Sequence, residues 1–453
     1  MTPTDGGMPR PADLEDGGAA RAARLRIHPA WWVAAVAFLA LLAAAGFRAA
    51  PGALMVPLHE EFGWSTTVMS LAVSINLLLY GLTAPFAAAL MDRFGVRQVV
   101  ATALVLIALG AGGSILVTAS WQLVVFWGVL IGLGTGSMAL VFAATIANRW
   151  FVRRRGLVMG ILTAGSATGQ LIFLPIVADL AATAGWRAAS LVVAAVALAA
   201  VPLVWLVLRD YPEDRGVLPF GADPATHTAP ARVSGNAARR AIEGLASAAR
   251  TPSFWALAVA FAICGATTNG LVGIHFIPSA HDHGMATTTA AGLLAVVGIF
   301  DIAGTIASGW LTDKFDPRIL LVVYYAFRGV GLVLLPWLLA DVVHPSMVLF
   351  VVIYGLDWVA TVPPTSALCR EIFGDRGTIV FGWVFAAHQI GAAAAALGAG
   401  VIRDAFGAYT YAWWGGAALC AIAALLSIVV RRAPARATAE RTPVTPSGGG
   451  PIR

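Results

Sequence analysis

Apolar positions in this chain do not alternate, and they are not confined to one helical face. They run on in long segments. Largely apolar stretches fall near residues 31–57, 65–90, 98–119, 122–147, 157–182 and 187–208; after a polar interval they resume near 254–279, 288–312, 318–340, 346–369, 377–402 and 409–430. A helix crossing the hydrocarbon core of a bilayer needs about 20 such residues. Lipid offers backbone groups no hydrogen-bond partner, so spanning segments are helices or closed barrels. The ten-residue alternation of barrel strands is not the pattern seen. The chain therefore predicts an all-α membrane protein of twelve transmembrane helices, arranged as two pseudo-symmetric six-helix bundles at 30–208 and 253–432.

Composition sharpens this reading. The chain is 59% hydrophobic and only 11% charged, against about 25% charge in soluble domains. That leaves too little polar surface for water. Cys264, Cys369 and Cys420 sit in apolar stretches without paired spacing, as small core residues do. Residues 1–29 and 433–453 read as disordered tails. The first apolar run is too long for a cleaved signal peptide. Residues 209–252 read as a linker between bundles; within them Asn236 to Arg250 could form an amphipathic helix on the membrane surface.

The net charge of +6 is topological. With the N-terminus inside, 25 of the 29 Lys and Arg residues fall on one side, and only Arg187 and Arg403 lie in loops of the other. This positive-inside bias predicts that both termini are cytoplasmic, and it argues against a nucleic-acid partner.

Two loops recur at one offset. Asp92-Arg93-Phe94-Gly95-Val96-Arg97 and Asp313-Lys314-Phe315-Asp316-Pro317-Arg318 lie 221 positions apart, as do Arg149 and Arg370, and Gly156 and Gly377. Independent loops sharing one offset predict a duplicated six-helix unit, a plan that places the binding site at the interface of the repeats.

The two copies, Ala88-x-Leu90-x-Asp92-Arg93-x-Gly95-x-Arg97 and Gly309-x-Leu311-x-Asp313-Lys314-x-Asp316-x-Arg318, resemble the signature loop of the major facilitator superfamily. Ala88 and Asp316 stand where that signature has glycine. The resemblance covers residues ~31–432. It implies that these loops hold the cytoplasmic face closed, for which acidic side chains at helix ends are suited. Glu61-Phe62-Gly63-Trp64-Ser65, Arg149-Trp150-Phe151 with Arg154-Arg155-Gly156, Gly185-Trp186-Arg187 and Phe300-Asp301 are similar to the branch of monocarboxylate porters and bacterial oxalate:formate antiporters. In monocarboxylate porters an Arg follows the Asp of this span by four residues; here that position is Thr305. The resemblance implies a bacterial-type cytoplasmic membrane and a chain that works as a monomer.

Ionisable groups inside a span are expensive and so are functional candidates. Four stand out: Arg48, Asp301, Arg328 and Asp357. Two positive and two negative groups suggest pairing. Arg48 lies deep in the first span, and a guanidinium matches a carboxylate with a planar fork of donors; Pro51 and Pro57 after it suggest a bent or broken outer half-helix. Taking a carboxyl out of water disfavours its charged form, so Asp301 and Asp357 are candidate proton carriers. Arg328 is expected in a structural ion pair. Asp357, His275 and His388 are candidate substrate contacts. His281-Asp282-His283 is too short and isolated for a metal site, and no metal or other cofactor is expected.

Glycines at 128, 132, 134 and 136 follow no strand, so they predict close helix packing, not dinucleotide binding. No GxxxxGK[ST] loop is present, and no constellation of an enzyme is visible. Energy must then come from a gradient. The expected function is secondary transport of a small organic anion, a monocarboxylate, coupled to protons and working by alternating access. Efflux of a hydrophobic compound and a non-transporting solute sensor are the alternatives.

Overall fold

A computed structural model describes residues 28–138, 140–224 and 237–431. The expected tails lie outside the described residues except for His28 and Pro29, and so does the middle of the linker. Twelve long helices follow in order: α1 (Pro29–Phe62), α2 (Thr66–Phe94), α3 (Val96–Leu116), α4 (Ser120–Trp150), α5 (Arg155–Thr183), α6 (Trp186–Val207), α7 (Pro252–Asp282), α8 (Thr287–Thr312), α9 (Pro317–Leu338), α10 (Pro345–Phe373), α11 (Gly377–Phe406) and α12 (Thr410–Val429). All but α5 meet length and apolarity limits for a membrane span over their described residues. α5 is 29 residues long and ends in the apolar stretch Leu171–Thr183.

Where the apolar surface goes shows what solvates it. The most apolar window of α6 is only 33% buried, whereas that of α7 is 78% buried. Leu206, Ile306, Trp337 and Leu425 are each more than 60% exposed. Leaving such side chains in water forfeits roughly 1.5–3 kcal/mol apiece, so this surface faces lipid. Of the spans that meet those limits, α1 and α7 have the most buried apolar windows.

The halves meet along three seams: α2 against α11, α5 against α8, and α1 against α7. Small residues set the spacing within and between them. Gly128, Gly132 and Gly136 of α4 face Ile75, Asn76 and Tyr80 of α2, the close packing expected of that cluster. Gly52 of α1 lies against the Ile274 carbonyl of α7. On the face away from the basic loops, Asp404 of α11 accepts hydrogen bonds from Thr66 N (3.1 Å) and Thr67 N (2.8 Å) at the start of α2. Ser74 of α2 donates to the Ala393 carbonyl of α11 at 2.8 Å. All three bonds tie one half to the other.

On the same face, Glu61 gathers Trp186 Nε1 (2.6 Å) and Arg187 (2.6 and 2.8 Å). Two sequence stretches 125 residues apart are thus one structural corner. Gly63 turns the chain out of α1 with φ 65°.

On the basic face, Arg149 bonds Asp92 at 2.6 Å and lies over the Tyr211 ring. Gly95 adopts φ 86°, and Asp210 closes over it to accept from Val96 N at 2.6 Å. Arg93 and Arg97 lie over Phe94 and Trp205. In the second copy, Asp316 caps α9 through Arg318 N (2.9 Å) and pairs with the Arg318 guanidinium at 2.7 Å. Lys314 sits 3.8 Å over Trp310, and Asp313 is the C-terminal cap residue of α8. Each of these contacts joins residues of one half to each other or to the start of the linker. The signature loops were expected to close this face; here they brace their own bundles.

The element that bridges the halves on this face is a linker helix, Ala237–Ala248, packed against α2 and α11. Trp383 donates to its Ala241 carbonyl at 2.8 Å, and Arg376 to Ser247 at 3.0 Å. Earlier in the linker, Phe220 pairs with the backbone of Trp150 to Arg153 and meets the Trp31 ring edge-on, tying the linker to the first half.

Of the bent or broken half-helix expected after Arg48, the broken form is absent: α1 runs on as one helix through Pro51 and Pro57. Each proline removes one donor, and the rest of the ladder survives. The interruptions fall elsewhere. α4 and α7 carry π-helical turns at Val124–Leu130 and Ala266–Val272. α10 comes apart into Pro345–Asp357 and Val362–Phe373.

Candidate functional site

Arg48 is half-buried near the middle of α1 and lines a small cavity between the halves, with a volume of about 40 Å³. The walls are Phe47 and Pro51 of α1, Val73, Asn76, Leu77 and Tyr80 of α2, Asn269, Gly273 and Ile274 of α7, and Trp358 of α10. The Arg48 guanidinium stands 5.0 Å from the Tyr80 ring centroid. A mostly apolar wall with one cation and a few amides is the usual make-up of a small-molecule site.

The π turns help to shape it. A π turn leaves a carbonyl without its helical partner, and a buried carbonyl must find another. The Trp127 carbonyl in α4 accepts from Asn76 Nδ2 at 2.7 Å, and the Thr267 carbonyl in α7 accepts from the Tyr354 hydroxyl at 2.8 Å. The first bond fixes Asn76 and leaves its side-chain oxygen as the remaining acceptor. The second turn contains Asn269, which reaches the cavity wall.

The other intramembrane charges gather beside it. Arg328 of α9 is 1% exposed. Its Nε bonds Asp357 Oδ2 at 2.7 Å, its Nη2 bonds the Asp357 carbonyl at 2.7 Å and the Trp358 carbonyl at 3.3 Å, and its Nη1 meets Cys264 Sγ at 3.0 Å. Asp301 of α8 accepts from Thr305 at 3.1 Å and from Val359 N at 3.0 Å. It also lines a second, mainly apolar pocket at the α5–α8 seam, with Leu171, Leu294, Ala295, Val297, Gly298 and Trp358.

Of the four expected substrate contacts, only Arg48 lines the central cavity. Asp357 is engaged by Arg328. His275 is fully buried, with Nε2 at 2.8 Å from the Ala396 carbonyl and Nδ1 at 3.4 Å from the Tyr409 hydroxyl. His388 is packed between Phe261 and Phe385. Both histidines serve the α7–α11 contact, where Gly265 and Gly391 allow the two backbones to approach closely. Tyr80, Asn76, Asn269 and Trp358 were not singled out by sequence. An aromatic or amide in an apolar run is unremarkable, and only Pro363-Pro364 hinted that a helix starts near Trp358.

The sequence profile of the Major Facilitator Superfamily matches residues 36–381. The chain belongs to the major facilitator superfamily. Its twelve helices in two halves are that superfamily's fold, and it is accordingly a multi-pass membrane transporter of small molecules, not an enzyme. Among superfamily members, it is 26% identical over 412 residues to the Bacillus subtilis protein named uncharacterized MFS-type transporter YcxA, covering 89% of this chain and 95% of the other. It is 30% identical to monocarboxylate transporter 13 of Bos taurus, over 84% of each chain. The structure of a bacterial homologue of the human lysosomal transporter Spinster, in an inward-facing and unoccupied conformation, superposes with a TM-score of 0.66 at 15% identity, covering 89% of this chain and 96% of the other. At that identity the likeness speaks for the fold.

Proposed function

We propose that this transporter carries a small monocarboxylate together with a proton, by alternating access of the halves 30–208 and 253–432. The observation that carries the reading is Arg48 on the wall of a mainly apolar cavity between those halves. A guanidinium offers a carboxylate two parallel donors, and the apolar wall suits a short hydrocarbon tail. Similarity to monocarboxylate transporters supports the same substrate class. Asp301 is the proton carrier in this reading: it is buried, and the groups bonded to it are neutral donors, whereas Asp357 already faces Arg328. The basic face with the termini is the cytoplasmic side of a bacterial-type inner membrane. The signature loops, bracing each half here, would engage the opposite half when that side closes.

The test is uptake of labelled short-chain monocarboxylates into proteoliposomes with an acidic exterior. Saturable uptake that collapses with the pH gradient is expected. Arg48→Gln is expected to abolish it, and Arg48→Lys to retain a fraction with raised KM, because an ammonium lacks the planar fork. The second reading is export of a hydrophobic compound. Failure of every short carboxylate to move, with proton-driven movement of a hydrophobic dye, would replace the first reading by the second.

A further inference from the structure

The interruption of α10 lies between the two carboxylates. Between Asp357 and Val362 the chain leaves the α-helical ladder for four residues, and buried backbone groups released in this way need other partners. Two neighbouring helices, α8 and α9, provide them. Arg328 of α9 takes the Asp357 and Trp358 carbonyls. Asp301 of α8 takes the Val359 N–H, and Ser308 of α8 donates to the Ala360 carbonyl at 2.5 Å. The Thr361 hydroxyl meets Cys264 Sγ of α7 at 3.1 Å. The break is thus held from outside, residue by residue.

The first side chain of this break is Trp358. It lines the central cavity with Arg48, and it lines the seam pocket with Asp301. Its indole edge comes within 3.8 Å of the position a Cβ would take on Gly273 of α7, and its ring packs edge-on to Tyr354. The residue that follows it donates its N–H to Asp301. One peptide unit therefore separates the aromatic wall of the cavity from the carboxylate.

We propose that Trp358 is a positioning residue that couples the charge on Asp301 to the shape of the Arg48 cavity. The inference rests on the cavity being the substrate site. A hydrogen bond to an ionised acceptor is roughly twice as strong as one between neutral groups. When Asp301 binds a proton, its hold on Val359 N–H weakens, the break relaxes, and the indole shifts between the two spaces. No covalent bond changes; one proton is taken up at the Asp301 carboxylate and released from it. The ionisable groups around Asp301 are the Arg328 guanidinium of α9, paired with Asp357 of α10, and the Cys264 thiol of α7, with Tyr324 of α9 near Asp357 and Ser308. α5 contributes Leu171 to its pocket. Arg328 keeps its charge throughout, so Asp301 is the group free to change.

The test places 5-fluorotryptophan in the full-length protein in nanodiscs and follows the Trp358 fluorine resonance, assigned by its loss in Trp358→Phe, as pH is varied without substrate. The expected result is a titrating resonance in the native protein and a pH-independent one in Asp301→Asn. A Trp358 resonance that ignores pH, or titrates equally in Asp301→Asn, overturns the proposal. In proteoliposomes, the ratio of acid-stimulated to unstimulated uptake is expected to fall at least fivefold in Trp358→Phe, whatever the change in absolute rate; an unchanged ratio overturns the proposal as well. The fluorine measurement needs no substrate, so failure of the monocarboxylate reading and failure of the coupling are seen separately.

Discussion

Arg328 and Asp357 form an ion pair almost without solvent, with exposures of 0% and 7% for their side chains. Removing one member of such a pair leaves a buried charge uncompensated and typically costs about 3–5 kcal/mol, whereas replacing both by apolar groups of similar size is far milder. Arg328→Leu and Asp357→Leu are each expected to lower the melting temperature sharply in detergent. The double variant should melt above either single one, though below the native protein, because Arg328 also serves two carbonyls of α10. Additive losses in thermal denaturation would mean that the two side chains do not act as a pair. At this scale the sequence was informative about kind and silent about partners. An ionisable residue inside an apolar run is conspicuous, so Arg48, Asp301, Arg328 and Asp357 could all be read from the chain. Which of them meet depends on helix rotation, and a span hydrophobic on all sides carries no record of that.

The α8–α10 contact shows how elements deliver those residues. Gly304 of α8 lies against the Leu356 carbonyl of α10, and Gly355 of α10 lies against Val297 and Phe300 of α8. A Cβ on Gly304 has no room, and the atoms in its way are backbone. That close approach brings Asp301 within hydrogen-bond reach of Val359. Overpacking a tight core typically costs 1–3 kcal/mol, so Gly304→Ala is expected to lose about that much stability and to impair uptake. Gly298→Ala on the same helix meets open space and should not destabilise, gaining up to about 1 kcal/mol from helix propensity. Equal behaviour of the two variants in thermal unfolding would refute the close contact. Apolar length made every one of the twelve helices visible in sequence, yet it did not show where a helix parts. Prolines after Arg48 pointed to a bend or break in α1, while the chain parts in α10, where side chains of α8 and α9 hold the freed backbone.

At the scale of the whole molecule, the two halves are joined across α2 and α11 by the Asp404 carboxylate on the first turn of α2. A carboxylate at an exposed helix N-terminus contributes about 0.3–1 kcal/mol, enough to bias two conformations up to about fivefold. Asp404→Ala is expected to shift the population toward separation of the halves on this face. Spin labels at Glu60Cys and Phe406Cys report it: the distance distribution should gain a longer component in the variant. An unchanged distribution would show that Asp404 does not help to latch the halves. Deleting Ala237–Ala248 probes the other face, where that helix lies across α2 and α11; the same measurement there should broaden.

Sequence alone determined that this chain lives in lipid, that it crosses twelve times, and that its second half repeats its first. Those properties follow from run length, charge placement and a fixed offset, all of which are local or additive along the chain. The tertiary structure decided which charges pair, where a helix parts, which side chains face the cavity, and which loops brace their own half instead of the other. Such outcomes depend on the rotation and approach of helices that are apolar all round. In that setting a few glycines and buried hydrogen bonds choose among packings that hydrophobicity leaves nearly equal.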